Sequence, residues 1–227
     1  MAELFLCVLL IYNVYIMKFD IITIFPKILD SYFSESILNR AQLKKLITIK
    51  AHNLRDFTLD KHRKVDDSPY GGGPGMVLKA DVIDRAIAKI KLKNKKIKSR
   101  IILFSLRGKK FDSKVAKRLS KYDQLIFICG RYEGVDERVA KYIADEEVSI
   151  GDFVLSGGEL AAGVVIDAVS RFIPGVLGKL ESLEEIKGSY KVYTKPEVIK
   201  IAGKKRIVPK VLLSGNHKKI EEWRNEI

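Results

Sequence analysis

Apolar and polar positions along this chain alternate between two periods. Residues 19–25 are rich in β-formers and stop at Pro26, which predicts a strand. Over residues 27–45 the apolar side chains Ile28, Leu29, Tyr32, Phe33, Ile37, Leu38 and Leu43 recur at helical spacing, predicting one helix. Residues 46–52 suggest a second strand. Residues 55–76 have almost no apolar periodicity and four glycines, so they read as a long loop, and such loops in compact domains usually carry function. Residues 80–90 place Val82, Ile83, Ala86, Ile87 and Ile90 on one helical face. An apolar strand at 100–106 runs into Arg107-Gly108-Lys109-Lys110. A short helix follows at 113–119, then a central strand at 124–128, a helix at 136–142 and a strand at 147–150. Residues 159–172 are helical and apolar on most faces, which predicts burial. Strands alternating with helices indicate an α/β domain with a mostly parallel sheet. After Pro174 the periodicity weakens. Residues 178–194 read as a linker, and residues 195–227 as a small basic appendage ending in a helix at 217–225.

Composition narrows the function classes. Forty-seven per cent apolar residues suffice for a globular core. Lys and Arg number 42 against 28 Asp and Glu, for a net charge of +14. A polyanion is the natural partner for that balance, and nucleic acid is the commonest one; a lysine-rich composition that serves solubility alone is the competing account. The two cysteines, Cys7 and Cys129, are too few for a disulfide framework and lack zinc spacing. Cys129 follows an apolar strand and reads as a small buried side chain. His52, His62 and His217 are scattered, so no metal ligand is assigned. Residues 4–11 are apolar, yet the basic region and cleavage site of a signal peptide are missing, and the run is too short to span a bilayer. Translation is expected to begin at Met17, with residues 1–16 as an over-called extension and no membrane partner.

The candidate chemistry lies in two glycine-rich segments. The first, Cys129-Gly130-Arg131-Tyr132-Glu133-Gly134-Val135-Asp136, follows an apolar strand. The second is Ile150-Gly151-Asp152-Phe153-Val154-Leu155-Ser156-Gly157-Gly158-Glu159. Strand, glycine turn and polar residues is where an α/β protein lets backbone approach a ligand. Two such segments are expected to converge on one pocket at the carboxyl edge of a sheet. Glu133, between glycines, reads either as a ligand-gripping carboxylate or as a surface side chain paired with Arg131 or Arg138. Arg171 ends an apolar helix, where a cation suits the helix dipole. The loop Pro69-Tyr70-Gly71-Gly72-Gly73-Pro74-Gly75-Met76 has no Walker or dinucleotide spacing. With Lys61, His62, Arg63 and Lys64 upstream, it reads as a flexible turn or as a phosphate-contacting loop.

These segments, with Ser170-Arg171-Phe172-Ile173-Pro174 and Val211-Leu212-Leu213-Ser214-Gly215-Asn216-His217, resemble the TrmD family of tRNA (guanine-N1)-methyltransferases, from about Met17 to Trp223. The resemblance implies a SPOUT-class methyltransferase domain over residues 17–177 with a C-terminal trefoil knot, a small helical C-terminal appendage that binds RNA, and a cytoplasmic homodimer whose sites are shared between subunits. It implies S-adenosylmethionine held by Gly130, Ile150, Gly151, Asp152, Phe153, Val154, Leu155, Gly157 and Gly158, with Phe104, Ser105 and Gly108 as a third wall. Leu106 stands where the family often has Pro. The resemblance further implies tRNA contacts at Lys61, Arg63, Lys64, Gly72 and Gly73, with Asp66 and Asp67 near the bound nucleotide and Mg²⁺ as an auxiliary ion.

The implied reaction moves a methyl group to N1 of the guanine 3′ of the anticodon. Glu133 grips the flipped guanine and Arg171 stabilises charge on its carbonyl oxygen. The family's general base is an Asp in the linker, and here Ile186 occupies that place. Glu185 is the nearest carboxylate, Glu184 the next, and Glu185 is assigned as the base. Two rival readings remain: a relative of the same fold acting on another RNA, and a non-catalytic RNA-binding relative. Methylation of tRNA with the target guanine replaced separates the first; cofactor binding without turnover marks the second.

Overall fold

A computed structural model describes residues 16–91, 97–177 and 190–225. The expected extension before Met17, apart from Ile16, lies outside the described residues. So do Glu184, Glu185, Ile186 and most of the expected linker. The chain divides between Lys179 and Leu180 into two units.

The first unit is built on a five-stranded sheet. In chain order its strands are β1 (Met17–Thr23), β2 (Ile47–Asn53), β5 (Ser99–Lys110), β6 (Gln124–Ile128) and β7 (Glu146–Ser149). They stand in the spatial order β2-β1-β6-β5-β7, and every pairing is parallel. Parallel sheets need cover on both faces. On one side α1 (Asp30–Phe33), α2 (Ser36–Leu43), α4 (Ser113–Leu119) and α6 (Glu159–Ser170) bury Phe33, Leu38, Leu119 and Val165 against Phe19, Leu125 and Phe127. On the other, α3 (Ala80–Ile90) and α5 (Glu137–Tyr142) bury Ile83, Ile87 and Val139 against Ile22, Ile126 and Ile128. All five residues of β6 are buried, as its apolar run between two helical layers requires. The mostly parallel α/β expectation is met.

Two elements differ from expectation. The helix expected over 27–45 is two helices, α1 and α2. The chain turns at Ser34 and Glu35 so that Phe33 and Leu38 both reach the same core, and Gln42 Nε2 donates to the Phe33 carbonyl left free at the break (2.8 Å). A periodicity of apolar residues does not register such a change of direction. The expected loop 55–76 begins in a 3₁₀ turn at Leu54–Phe57 and contains β3 (Asp66–Asp67), which pairs antiparallel with β4 (Val77–Leu78). Two aspartates make no apolar signal; the backbone pairing and the Lys79 N–H to Val65 carbonyl bond (2.8 Å) hold them there.

The second unit carries a hairpin of β8 (Val198–Ile201) and β9 (Lys204–Ile207), then α7 (Lys210–Leu213) and α8 (His217–Asn225). The appendage is therefore not purely helical. Ala202 and Gly203, at φ 51° and 74°, form its two-residue turn, the left-handed geometry that favours glycine. The final helix has the expected bounds, and Trp223 packs on Tyr193 with ring centroids 6.2 Å apart.

Candidate functional site

The carboxyl ends of three neighbouring parallel strands build one cleft of about 480 Å³. From β5 come Phe104, Ser105 and Arg107; from β6, Gly130 to Val135; from β7 and the turn after it, Ile150, Gly151, Phe153 to Gly158. This is where an open α/β sheet presents backbone to a ligand. The convergence expected of the two glycine segments is present, with Phe104 and Ser105 as its third wall.

Each wall has a local cause. In β5 the register slips between Phe104 and Lys109, both of which pair with Val148, so the intervening residues bulge out toward the cleft. In the segment after β6, Tyr132 (φ 59°) and Gly134 (φ 118°) take left-handed conformations, turning the chain back on itself. Gly158 sits against the preceding strand end: its N–H bonds the Gly130 carbonyl (3.0 Å), and a Cβ there would lie 2.8 Å from Cys129 Cα. Cys129 itself is fully buried, and burial pushes its thiol well above the usual range, so it is the small apolar side chain expected.

Glu133 is exposed and lines the cleft. It pairs with neither of the arginines offered by sequence. Arg138 binds Asp136 at the start of α5 (2.5 Å), and the hydrogen bond from that guanidinium holds the Asp136 carboxyl below its ordinary range. Glu133 instead lies over Gly75: a Cβ at Gly75 would fall 2.5 Å from Glu133 Cγ. Backbone bonds run the same way, from Glu133 N–H to the Met76 carbonyl (3.1 Å) and from Leu78 N–H to the Gly134 carbonyl (3.0 Å). The glycine-rich loop 69–76 is thereby stitched to the cleft.

Arg131 turns inward to Glu159, the first residue of α6, which is 1% exposed. Its Nη2 lies 2.9 Å and its Nε 3.0 Å from Glu159 Oε2. Thr23 Oγ1 donates to Oε1 (2.5 Å), and Arg131 Nη1 donates to the Ser156 carbonyl (3.1 Å). The Phe25 ring covers the guanidinium at 4.8 Å. Sequence reading left Glu159 without a role. Its signal was a carboxylate on a helix apolar on most faces, which demands a partner. Tyr132, Arg107 and Glu137 also line the cleft and were not singled out; Arg107 bonds Glu137 (2.6 Å) at its mouth.

Other expected site residues lie elsewhere. Gly108 does not line the cleft. It lets the end of the β5 bulge approach β7, since a Cβ would be 2.5 Å from the Val148 nitrogen. Asp152 points outward to Lys110 (2.6 Å). Arg171 caps the far end of α6, twelve residues from Glu159, or about 18 Å along the helix axis. Lys61 and Lys64 are exposed, whereas Arg63 is bound to Asp56 and Asp67 to Lys79 (3.2 Å). Gly72 and Gly73 have open space around them. Among the described residues no group of His, Cys, Asp or Glu forms a metal site, and no helix is long and apolar enough to cross a membrane.

Residues 17–227 match the family model described as tRNA (Guanine-1)-methyltransferase TrmD. A tRNA (guanine-N(1)-)-methyltransferase of Geotalea uraniireducens is 50% identical over 213 residues, covering 92% of this chain and 84% of that protein. Its namesake in Carboxydothermus hydrogenoformans is 51% identical over 215 residues, covering 92% and 82%. That of Thermomicrobium roseum is 49% identical over 212 residues, covering 92% and 77%. The chain belongs to the TrmD family of tRNA (guanine-N1)-methyltransferases.

Proposed function

We propose that this TrmD-family chain transfers the methyl group of S-adenosylmethionine to N1 of the guanine 3′ of the anticodon in tRNA. One observation carries the reading: two glycine-rich strand ends and the bulge of β5 meet in a cleft whose rim presents Glu133. The cleft suits the cofactor. Its volume of about 480 Å³ is ordinary for a nucleoside-sized ligand. Gly158 leaves no room for a side chain and Gly130 little, while Ile150, Phe153, Val154 and Leu155 offer apolar contact to a flat base. S-adenosylmethionine supplies an electrophilic methyl group on a positively charged sulfur.

The chain's own residues do the rest. Guanine N1 is protonated at neutral pH and must lose that proton to attack. Glu133 holds the flipped guanine, Glu185 accepts the N1 proton, and the Arg171 fork stabilises the charge moving onto the carbonyl oxygen. Gly130, Ile150, Gly151 and Phe153 through Gly158 hold the cofactor, with Phe104 and Ser105 closing the third side. Asp152 and Gly108 serve that wall indirectly, through Lys110 and through β7. Lys61, Arg63, Lys64, Asp66, Asp67, Gly72 and Gly73 form the RNA-facing loop, and residues 195–227 a further basic surface. Mg²⁺ is kept as an auxiliary ion, for which the described residues offer no cluster of carboxylates or histidines.

Arg171 lies about 15 Å along α6 from Ala161 of the cleft wall, so a second copy is the simplest source of it, and we infer a homodimer with shared sites. An exposed apolar patch supports this: Leu160 and Val164 on α6 beside Phe25, Ile28 and Tyr32, the last bonded to Asp167. We infer the trefoil knot from membership of the TrmD family. After β7 near one edge, the chain passes the carboxyl ends of β5 and β6 and reaches β1, where Thr23 bonds Glu159. Mass spectrometry of tRNA before and after incubation with the cofactor tests the reaction. A 14-Da gain on the guanine 3′ of the anticodon is expected, and a gain on tRNA lacking that guanine refutes the assignment.

A further inference from the structure

A charge problem is built into the cleft. Its wall contains a guanidinium, Arg131, whose side chain is only 14% exposed. The ligand proposed for the cleft is a cation that becomes neutral when it gives up its methyl group. A desolvated Arg beside a sulfonium is repulsive, and low local dielectric strengthens the repulsion.

We propose that Glu159 is a positioning residue that neutralises Arg131, allowing the cleft to accept a cationic cofactor in preference to its neutral product. The inference rests on the cofactor reading of the cleft. Glu159 is buried to 1% exposure and takes the guanidinium through two oxygens, at 2.9 and 3.0 Å to Oε2 and 3.2 Å to Oε1. Its remaining acceptor capacity goes to the Thr23 hydroxyl (2.5 Å). The carboxylate thus faces both the guanidinium and a hydroxyl donor, on the core side of Arg131. Gly157 lies directly over the pair: a Cβ there would meet Glu159 Oε2 at 2.5 Å and Arg131 more closely still. Arg131 also binds the Ser156 carbonyl. The pair therefore sits immediately beneath the cofactor-facing backbone of two walls.

Stability alone explains the pair poorly. Replacing a buried ion pair by well-packed apolar side chains of similar volume is often neutral or stabilising. An Arg is useful here because its planar fork ties the segment after β6 to the segment after β7. Its charge then has to be cancelled, and Glu159 cancels it.

The test compares Kd for S-adenosylmethionine and for S-adenosylhomocysteine by calorimetry, well below each variant's melting temperature. Glu159→Gln keeps the shape of the side chain and removes its charge. It should weaken binding of the cation at least about tenfold more than binding of the neutral thioether. Arg131→Gln with Glu159→Gln removes both charges and should return the ratio to that of the unaltered chain. Equal losses for both ligands, or no loss, would overturn the proposal, because a packing role moves both alike. Should Glu159→Gln fail to fold, Arg131→Gln removes the cation and keeps Glu159, and the ratio should shift toward the cation; an unchanged ratio overturns the idea. The cofactor reading fails separately: either the unaltered chain binds neither ligand, or Gly130→Val binds both as the unaltered chain does. In that case this proposal falls with it.

Discussion

Gly75 exists in the space that Glu133 needs. The two are 58 positions apart in sequence, yet a Cβ on Gly75 would stand 2.5 Å from Glu133 Cγ and 2.6 Å from Oε1. Gly75 is also left-handed, at φ 83°. Gly75→Ala should therefore displace the Glu133 carboxylate and add about 1–2 kcal/mol of backbone strain. Single-turnover methyl transfer should fall by about tenfold or more, while cofactor affinity stays near normal. Normal turnover in this variant would show that Glu133 does not need its present position.

Gly130→Val should abolish cofactor binding. The Cβ alone would lie 3.1 Å from Val135 Cγ2, and the branched methyls would enter the cleft. Calorimetry checks this, and unchanged affinity would place the pocket elsewhere.

Glu185→Gln should stop methyl transfer while sparing the cofactor. A positioned base contributes about 10²–10⁴-fold, and the amide keeps the shape but cannot take the N1 proton. If Glu184→Gln instead loses the rate, the wrong carboxylate has been assigned. If neither variant loses it, the base lies outside 184–185.

RNA affinity should fall steeply with salt, because neutralised phosphates release counterions. Arg63 is held by Asp56, whereas Lys61 and Lys64 stand exposed on the same loop. Lys61→Ala with Lys64→Ala should flatten the salt slope by about 1 per lysine. Removing Arg63 should change it less. An unaltered slope in the double variant would mean that the loop does not touch the backbone of the RNA.

Acid should loosen the β5–β7 edge. Burial opposes ionisation of Glu146, but bonds from Arg118 (2.7 Å) and Arg100 (3.0 Å) outweigh it and hold its carboxyl below its ordinary value. A depressed folded value means that the unfolded chain binds the proton first. The contribution to stability is present above the unfolded value and is lost as pH falls through the folded one. Melting curves between about pH 5 and about pH 3 should show the unaltered chain losing more stability than Glu146→Gln. Parallel curves would show that the pair contributes nothing.

Most of the fold was legible because helices and strands follow local rules. Helices Ser113–Leu119 and His217–Asn225 and the strand Gln124–Ile128 have the bounds their apolar periods predict. The break between α1 and α2 and the hairpin of the second unit were not. In one case the core redirects a continuous pattern; in the other an exposed basic ribbon buries too little to leave a pattern.

The sequence by itself determined the alternation of elements, the two glycine segments and the family motifs, since dihedral freedom and apolar spacing are written residue by residue. It also fixed which groups must find partners. Tertiary structure alone decided who the partners are. Arg131 had Glu133 two positions away and took Glu159, 28 positions on, because only there could its charge be desolvated against an opposite one. Glu133 was left to Gly75 by the same fold. Strand order β2-β1-β6-β5-β7 brought these groups together, and long-range pairing of that kind depends on how the whole core closes, not on any local window.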